Sequence, residues 1–486
     1  MTPSDRRELR RWLRLAVASL VIAGSFSLFI VVARLPPIAR LIADATFFKR
    51  ALVIHVDLSL VVWFLTFLVA LAHRLPARDR LGRLGAPLTA AGVALLCAGI
   101  LVPATPILAN YVPVLDHPLH LAALGLVATG VAVALLGRRL LPGRREASDG
   151  VALALRGAAV AFFAALVTLV ASVAGTPEGL EPTTAYELRF WGAGHLLQVA
   201  HTAGMVAAWQ ILVGGATGAP PVSRRLAAAL VALLVAPTLA GPLLTVGGTA
   251  TIGYQTGFTR LMQWGIALPV LVFLALGLRA LARARAWRDP RAVAFVVSAA
   301  LTVLGYLLGA LIRGSNTVVP AHYHAAIGAV TVAYMGVAYG LFAVVGRAAR
   351  TSIARWQPAL FGAGQSVFAA GFALAGAHGM ARKAYGQEQH IRSTAETLGL
   401  GVMGLGGLVA VVGGVVFLVA AIAALRTTEE IDGREGRTSP AAAPDGQPLA
   451  AAGPGRAHSA AVVHRVGLDR ARAHAPGDPA VMEAGR

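Results

Sequence analysis

Long apolar runs alternate along this chain with short stretches in which the charges gather. A helix needs about 20 predominantly apolar residues to cross the hydrocarbon core of a bilayer. On that measure the pattern predicts helices over 13–34, 51–72, 87–107, 118–137, 151–174, 190–214, 226–248, 262–282, 293–312, 319–345, 358–378 and 397–425. The expectation is an all-α membrane protein with twelve transmembrane helices.

The charges set the topology. Arg6, Arg7, Arg10, Arg11 and Arg14 precede or open the first run, and further arginines fill Arg74–Arg83, Arg138–Arg145, Arg224 and Arg225, Arg279–Arg291 and Arg347–Arg355. The intervening loops at 108–117 and 175–188 are neutral or acidic. By the positive-inside rule both termini are cytoplasmic, in a multi-pass protein expected in a prokaryotic cytoplasmic (inner) membrane. No cleavable signal or transit peptide is evident. Residues 1–12 read as a basic cytoplasmic N-terminus and 13–425 as the membrane domain. Residues 426–486, rich in Ala, Gly, Pro, Arg and Asp without apolar periodicity, read as a disordered cytoplasmic tail in which His458, His464 and His474 are solvated.

Composition supports this. The 486 residues are 57% hydrophobic and 13% charged, with a mean hydropathy of +0.70, too apolar for a soluble globule. A net charge of +20 would suggest a nucleic-acid partner in a soluble protein, but here the arginines sit in short loops and no such partner is expected. The single cysteine, Cys97, rules out an intrachain disulfide and any multi-cysteine metal site. The glycines of Gly399–Gly414 suit close helix packing better than a nucleotide loop.

Polar rings inside such helices are costly and mark function. In Asn316-Thr-Val-Val-Pro-Ala-His-Tyr-His-Ala-Ala-Ile-Gly328, His322 and His324 open the tenth helix. Residues two apart on an α-helix point to nearly opposite sides, so the pair does not readily grip one metal ion. It can serve two different partners, one on each side, or consist of helix-start histidines bonded to backbone or water. In the topology above, the second, sixth and tenth helices run inward, and His55, His195, His322 and His324 all fall near their outer ends. Histidines from three helices in one layer are expected where cofactors are held between helices of a bundle. His117 and His120 open the fourth helix at the same depth, three apart and so on one face; they could hold a metal or a cofactor carboxylate, but an interfacial structural role is expected, and Asp57, two residues after His55, is expected to face a cofactor carboxylate or water.

Leu304-Gly-Tyr-Leu-Leu-Gly-Ala-Leu-Ile-Arg-Gly-Ser-Asn-Thr-Val-Val-Pro-Ala-His-Tyr-His-Ala-Ala-Ile-Gly-Ala-Val330 resembles the ninth and tenth helices of the large subunit of haem-copper oxidases and nitric oxide reductases, the cytochrome c oxidase subunit I-like proteins. The similarity runs over residues 10–425, strongest from 185 onward and weak in the third to fifth helices. The resemblance implies a haem-copper oxidase subunit I-like bundle with two haems. His324 then ligates a low-spin haem together with His55, and His322 is the proximal ligand of a high-spin haem. Leu374-Ala-Gly-Ala-His-Gly-Met-Ala-Arg-Lys-Ala-Tyr385 is similar to the segment after the family's eleventh helix, where paired basic residues bind haem propionates. Arg382 and Lys383 occupy those positions, with a solvated loop pair as the alternative. Their place on the outer side, against the positive-inside pattern, suits a cofactor carboxylate nearby.

The resemblance also has a gap. Family members that reduce dioxygen or nitric oxide hold a second metal, copper or non-haem iron, by one histidine on the sixth helix and a His-His pair on the seventh. His195 is the first of these; aligned on Thr245-Val-Gly247 and Gly257-Phe-Thr-Arg260, the pair falls at Gly241 and Pro242. His195 is then the remnant of a second-metal site lacking two of three ligands, and a copper or non-haem iron there is doubtful. His201 lies six residues further along the helix, about 9 Å away, too far to share a metal. Val199 stands where many oxidases carry a tyrosine, the sixth helix has no acid below His195, and the eighth has no lysine, so the usual proton-pumping route lacks support.

Three readings follow. The first is a haem-binding membrane electron-transfer protein with an incomplete copper site and a small-gas ligand. The second is a catalytic subunit reducing dioxygen or nitric oxide, an oxidoreductase of the cytochrome c oxidase or nitric oxide reductase type. A cofactor-free twelve-helix transporter is the third, and it leaves the histidine layer unexplained. Either haem reading implies membrane lipid as surroundings and an electron donor such as cytochrome c, quinol or a partner cytochrome subunit.

Overall fold

A computed structural model of the chain describes residues 1–32, 45–141, 149–383 and 391–426. Among them are 12 helices long and apolar enough to cross a membrane. These are α1 (Pro3–Phe29), α2 (Thr46–Ala72), α3 (Leu81–Leu101), α4 (Pro118–Leu136), α5 (Gly150–Ala174), α6 (Pro182–Thr217), α7 (Arg224–Leu244), α8 (Ile252–Ala284), α9 (Pro290–Ala310), α10 (Val318–Val345), α11 (Thr351–Ala377) and α12 (Thr394–Arg426). All twelve predicted helices are present, but several boundaries differ. α6 begins at Pro182 rather than 190, because Glu181 caps it by accepting a bond from the Thr184 amide at 3.1 Å. α1 begins ten residues ahead of its predicted start, its basic first turns being helical too. Of the expected tail, 426–486, Arg426 still belongs to α12, and 427–486 lie outside the described residues.

The third predicted helix is too long. α3 ends at Leu101, and the next residues form an antiparallel ribbon of β1 (Thr105–Ile107) and β2 (Val114–Asp116), with Thr105 opposite Asp116 and Ile107 opposite Val114. Pro103 and Pro106 explain the stop, since proline lacks the amide a helix needs. The tip of this ribbon becomes part of the functional region.

Neighbours in sequence pack as pairs, α3 with α4, α5 with α6, α9 with α10 and α11 with α12. The last pair is the tightest. A Cβ at Gly406 would strike the Phe368 backbone nitrogen, and one at Gly371 the Met403 nitrogen, so backbone lies against backbone. Gly399, Gly406 and Gly413 are thus a packing surface, as predicted for this stretch, whereas Gly401, Gly404 and Gly414 face open space. At the centre, buried Trp63, Phe64, Phe67 and Tyr334 join α2 to α10, with Phe67 and Tyr334 stacked at 4.6 Å. A polar link crosses the same core: the Trp209 indole donates to Ser298 Oγ at 2.8 Å, and Ser298 donates to the Ala329 carbonyl at 2.7 Å.

Candidate cofactor-binding site

The start of α10 is fastened to the end of α11. Thr317 donates its amide to the Met380 carbonyl at 3.0 Å and its hydroxyl to the Phe372 carbonyl at 2.9 Å, while Asn316 and Ala381 form an antiparallel bridge. From this fixed start the two histidines face different neighbours. His322 Nδ1 donates to the Gly305 carbonyl on α9 at 2.7 Å. Its ring lies over Gly309, where a Cβ would come within 2.9 Å of Nδ1. His324 faces α11, its ring 4.6 Å from Phe368 and 6.0 Å from Phe372.

His55 sits at a change in helix type. Residues Ala45–Val56 are α-helical, Asp57–Val62 form a π-helical turn, and Trp63–Ala72 return to α. Such turns occur frequently at functional sites, and the predicted uninterrupted helix needs that correction. The His55 Nδ1 donates to the Ala23 carbonyl on α1 at 2.8 Å. A carbonyl can only accept, so at His55 and His322 alike the proton is on Nδ1 and the Nε2 lone pair is left for a metal.

Asp57 lies against α4. It is fully buried, with Oδ2 3.2 Å from Nε2 of the buried His120 on α4. The approach falls short of an aligned hydrogen bond, and neither side chain has another well-oriented partner. His117 caps α4 by accepting the Leu119 amide on Nδ1 at 3.2 Å, the structural role expected of it. His201 packs against Phe64 at 4.9 Å.

Arg382 and Lys383 belong to a polar cluster at the same end of the bundle. Arg382 donates through Nε to Ser315 at 2.9 Å and through Nη1 to Asn110 Oδ1 at 3.1 Å. Asn110 in turn donates its amide to Glu187 Oε2 at 2.8 Å, and its side-chain nitrogen bonds Oε1 of the same carboxylate. Lys383 has a left-handed backbone (φ 64), and desolvation pulls its ammonium below the ordinary lysine value while Glu187 pushes it back.

His195 has a partner that the sequence did not disclose. Its Nδ1 donates to the Trp191 carbonyl at 2.7 Å, so Nε2 is an acceptor, and the Tyr111 hydroxyl donates to it at 2.9 Å. Tyr111 stands at the tip of the β1–β2 ribbon, its ring 4.5 Å from His195 and 5.8 Å from Trp191. Burial pushes its phenol well above the usual value, and Glu187 adds to this, so the hydroxyl keeps its proton. Its backbone is left-handed (φ 68), a conformation that costs a non-glycine residue about 1–2 kcal/mol. A signal is present in the sequence: Tyr111 is the one Phe, Trp or Tyr in the loop 108–117.

On the register set by the resemblance, Gly241 and Pro242 offer no ligand, and a side chain at Gly241 would need Leu196 and Thr168 to shift. A Cβ there would lie 2.6 Å from Thr168 Oγ1, and α7 is already broken by the 3-10 turn Ala236–Ala240. Among the described residues, no three His, Cys, Asp or Glu side chains are placed to hold a metal ion.

A twelve-helix bundle presenting imidazoles between helices at one end defines a multi-pass membrane protein of the haem-copper oxidase subunit I fold. The solved structure of a heme-copper terminal oxidase dimer matches it with a TM-score of 0.68 over 87% of this chain and 84% of that chain, at 14% identity. The sequence model for cytochrome c and quinol oxidase polypeptide I matches residues 9–423, and the chain belongs to that family. Two uncharacterized proteins are also similar. One, from Aquifex aeolicus (strain VF5), is 28% identical over 333 residues, spanning 68% of this chain and 83% of its own. The other, RP382 of Rickettsia prowazekii (strain Madrid E), is 23% identical over 486 aligned residues, spanning 84% of this chain and 94% of its own.

The family is one of haem proteins, and the donor chemistry at His55 and His322 suits haem iron: neutral imidazoles, oriented through Nδ1, with Nε2 bare. The surroundings of His195 do not suit a second metal, because its Nε2 already accepts a hydrogen bond.

Proposed function

We propose that the chain is a haem-binding electron-transfer protein of the cytoplasmic membrane of a prokaryote, with both termini on the cytoplasmic side. His55 and His324 would hold a low-spin haem, and His322 a high-spin haem able to take a small gas. Bound there, haem iron supplies one-electron chemistry and an open coordination position. The observation that carries this reading is the divergence of His322 and His324 across α10, one fixed on α9 and the other turned toward α11. One helix can thereby serve two cofactors, which an uncharged transport helix has no need to do. Arg382 and Lys383 would pair with haem propionates, and the Ser315 and Asn110 bonds hold the Arg382 guanidinium near the start of α10.

Family membership favours a second reading, a catalytic subunit that reduces dioxygen or nitric oxide. Electrons would come from cytochrome c, quinol or a partner cytochrome subunit in either case. The chain purified in detergent distinguishes them. Oxidised, reduced and carbon monoxide spectra are expected to show two haems, one of which binds carbon monoxide. In His324→Ala the low-spin signal should vanish while carbon monoxide binding persists. A low-spin spectrum surviving that substitution refutes the ligand assignment, and rapid turnover of dioxygen or nitric oxide would favour the catalytic reading.

A further inference from the structure

We propose that Tyr111 replaces the second metal: the β1–β2 ribbon delivers a phenol to His195 Nε2, making this a metal-free tyrosine–histidine pair. The first support is the bonding of the imidazole. Nδ1 is committed to the Trp191 carbonyl at 2.7 Å and Nε2 to the Tyr111 hydroxyl at 2.9 Å, so both nitrogens of a ring only 1% exposed are taken. A metal ion at Nε2 would have to displace the phenol.

The helix is also shaped to receive the phenol. Residue 194 is glycine, and a Cβ there would run into the Tyr111 side chain, 2.6 Å from its Cγ. Any other residue would lift the tyrosine off His195. The surrounding aromatic walls are completed by Trp191 and Phe258, whose rings lie 4.8 Å and 6.1 Å from His195.

The ribbon, finally, is anchored where a docked tip needs it. Asn110 is gripped by Glu187 on α6 and by Arg382 after α11, and Tyr186 on α6 donates to Asp116 on β2 at 2.8 Å. These bonds flank Tyr111 and hold its backbone in a left-handed conformation (φ 68) that the local sequence does not favour. A loop that only covered the bundle would need none of this.

Tyr111 is thus a positioning residue, fixing the tautomer and orientation of His195. Its consequence for gas binding rests on the assignment of a haem to His322, but the pair itself does not, and the test separates the two. The full chain is purified from copper-supplemented cells, haem is quantified, and total copper, zinc and iron are counted. Infrared spectra are recorded on protein with ring-labelled tyrosine, and the difference between wild type and Tyr111→Phe isolates the Tyr111 C–O band among the 8 tyrosines. Expected are no copper, zinc or non-haem iron in stoichiometric amount, and a Tyr111 band that shifts in His195→Gln. Both variants keep a side chain of similar size, and Tyr111→Phe preserves the contact with Gly194. Carbon monoxide dissociation from the high-spin haem should change about fivefold in Tyr111→Phe, the scale of one hydrogen bond. A stoichiometric second metal lost in His195→Gln, or a Tyr111 band unmoved by that substitution, overturns the proposal. Absence of haem would overturn the reading of the previous subsection and leave the metal count and the infrared test intact.

Discussion

Glycine 194 makes a sharp prediction at the scale of single residues. Replacing glycine by alanine inside a helix ordinarily stabilises it, by about 0.5–1 kcal/mol. Here the new methyl meets Tyr111, and overpacking of that kind costs about 1–3 kcal/mol. Gly194→Ala should therefore lower the melting temperature, whereas the same change at Gly125, whose Cβ would meet nothing within 4 Å, should raise or preserve it. Thermal unfolding of the two variants in one detergent decides the matter; equal behaviour would mean that Tyr111 is not seated on α6. The buried Asp57–His120 pair belongs to the same scale. It was only half legible: the shared depth of His120 and His55 could be read from the sequence, but the π-helical turn that carries Asp57 toward α4 leaves no trace in the spacing of apolar residues.

Among the elements, the α11–α12 pair depends most on the absence of side chains. Gly364, Gly371, Gly406 and Gly413 bring the two backbones together, and α11 also carries Phe368 and Phe372 against His324. Gly406→Val would push α12 away at Phe368, and because that ring borders His324, the damage should reach the low-spin site. The expected result is a lower melting temperature together with a weakened or shifted low-spin spectrum; a normal spectrum in a well-folded variant would uncouple the packing surface from the cofactor site. The apolar runs sufficed to find these helices, since about 20 apolar residues specify a span whatever its neighbours. They did not reveal the ribbon after α3, whose strands are three residues each and whose apolar residues continue the helix pattern past Leu101. The partner of His195 was hidden for the same reason, because it comes from that ribbon and is far from α6 in sequence.

For the whole molecule, the arrangement of loops bears on orientation. The β1–β2 ribbon, the start of α6 and the segment after α11 lie at one end of the bundle, linked by Asn110, Glu187 and Arg382. The arginine-rich loops, including Arg74–Arg83, lie at the other ends of the same helices, and charge of this kind stays cytoplasmic. With Cys97 replaced by serine, a cysteine placed at exposed Glu178 should react with a membrane-impermeant maleimide in intact cells. One placed at exposed Arg80 should react only after permeabilisation. The reverse pattern would invert the topology and move the histidine layer to the cytoplasmic side.

The ribbon also makes one part of this molecule replaceable. The proposed ligands His55, His322 and His324 lie on helices that cannot move without repacking the bundle, but the group touching His195 rides on six strand residues and a short tip outside the spans. Exchanging only the tip residue Tyr111 would change the chemistry presented to His195 while the strand contacts with the spans, such as Leu115 against α2 and Asp116 with Tyr186, stayed as they are. In a lineage under selection, that is the shortest route by which this architecture could acquire a new reactive group.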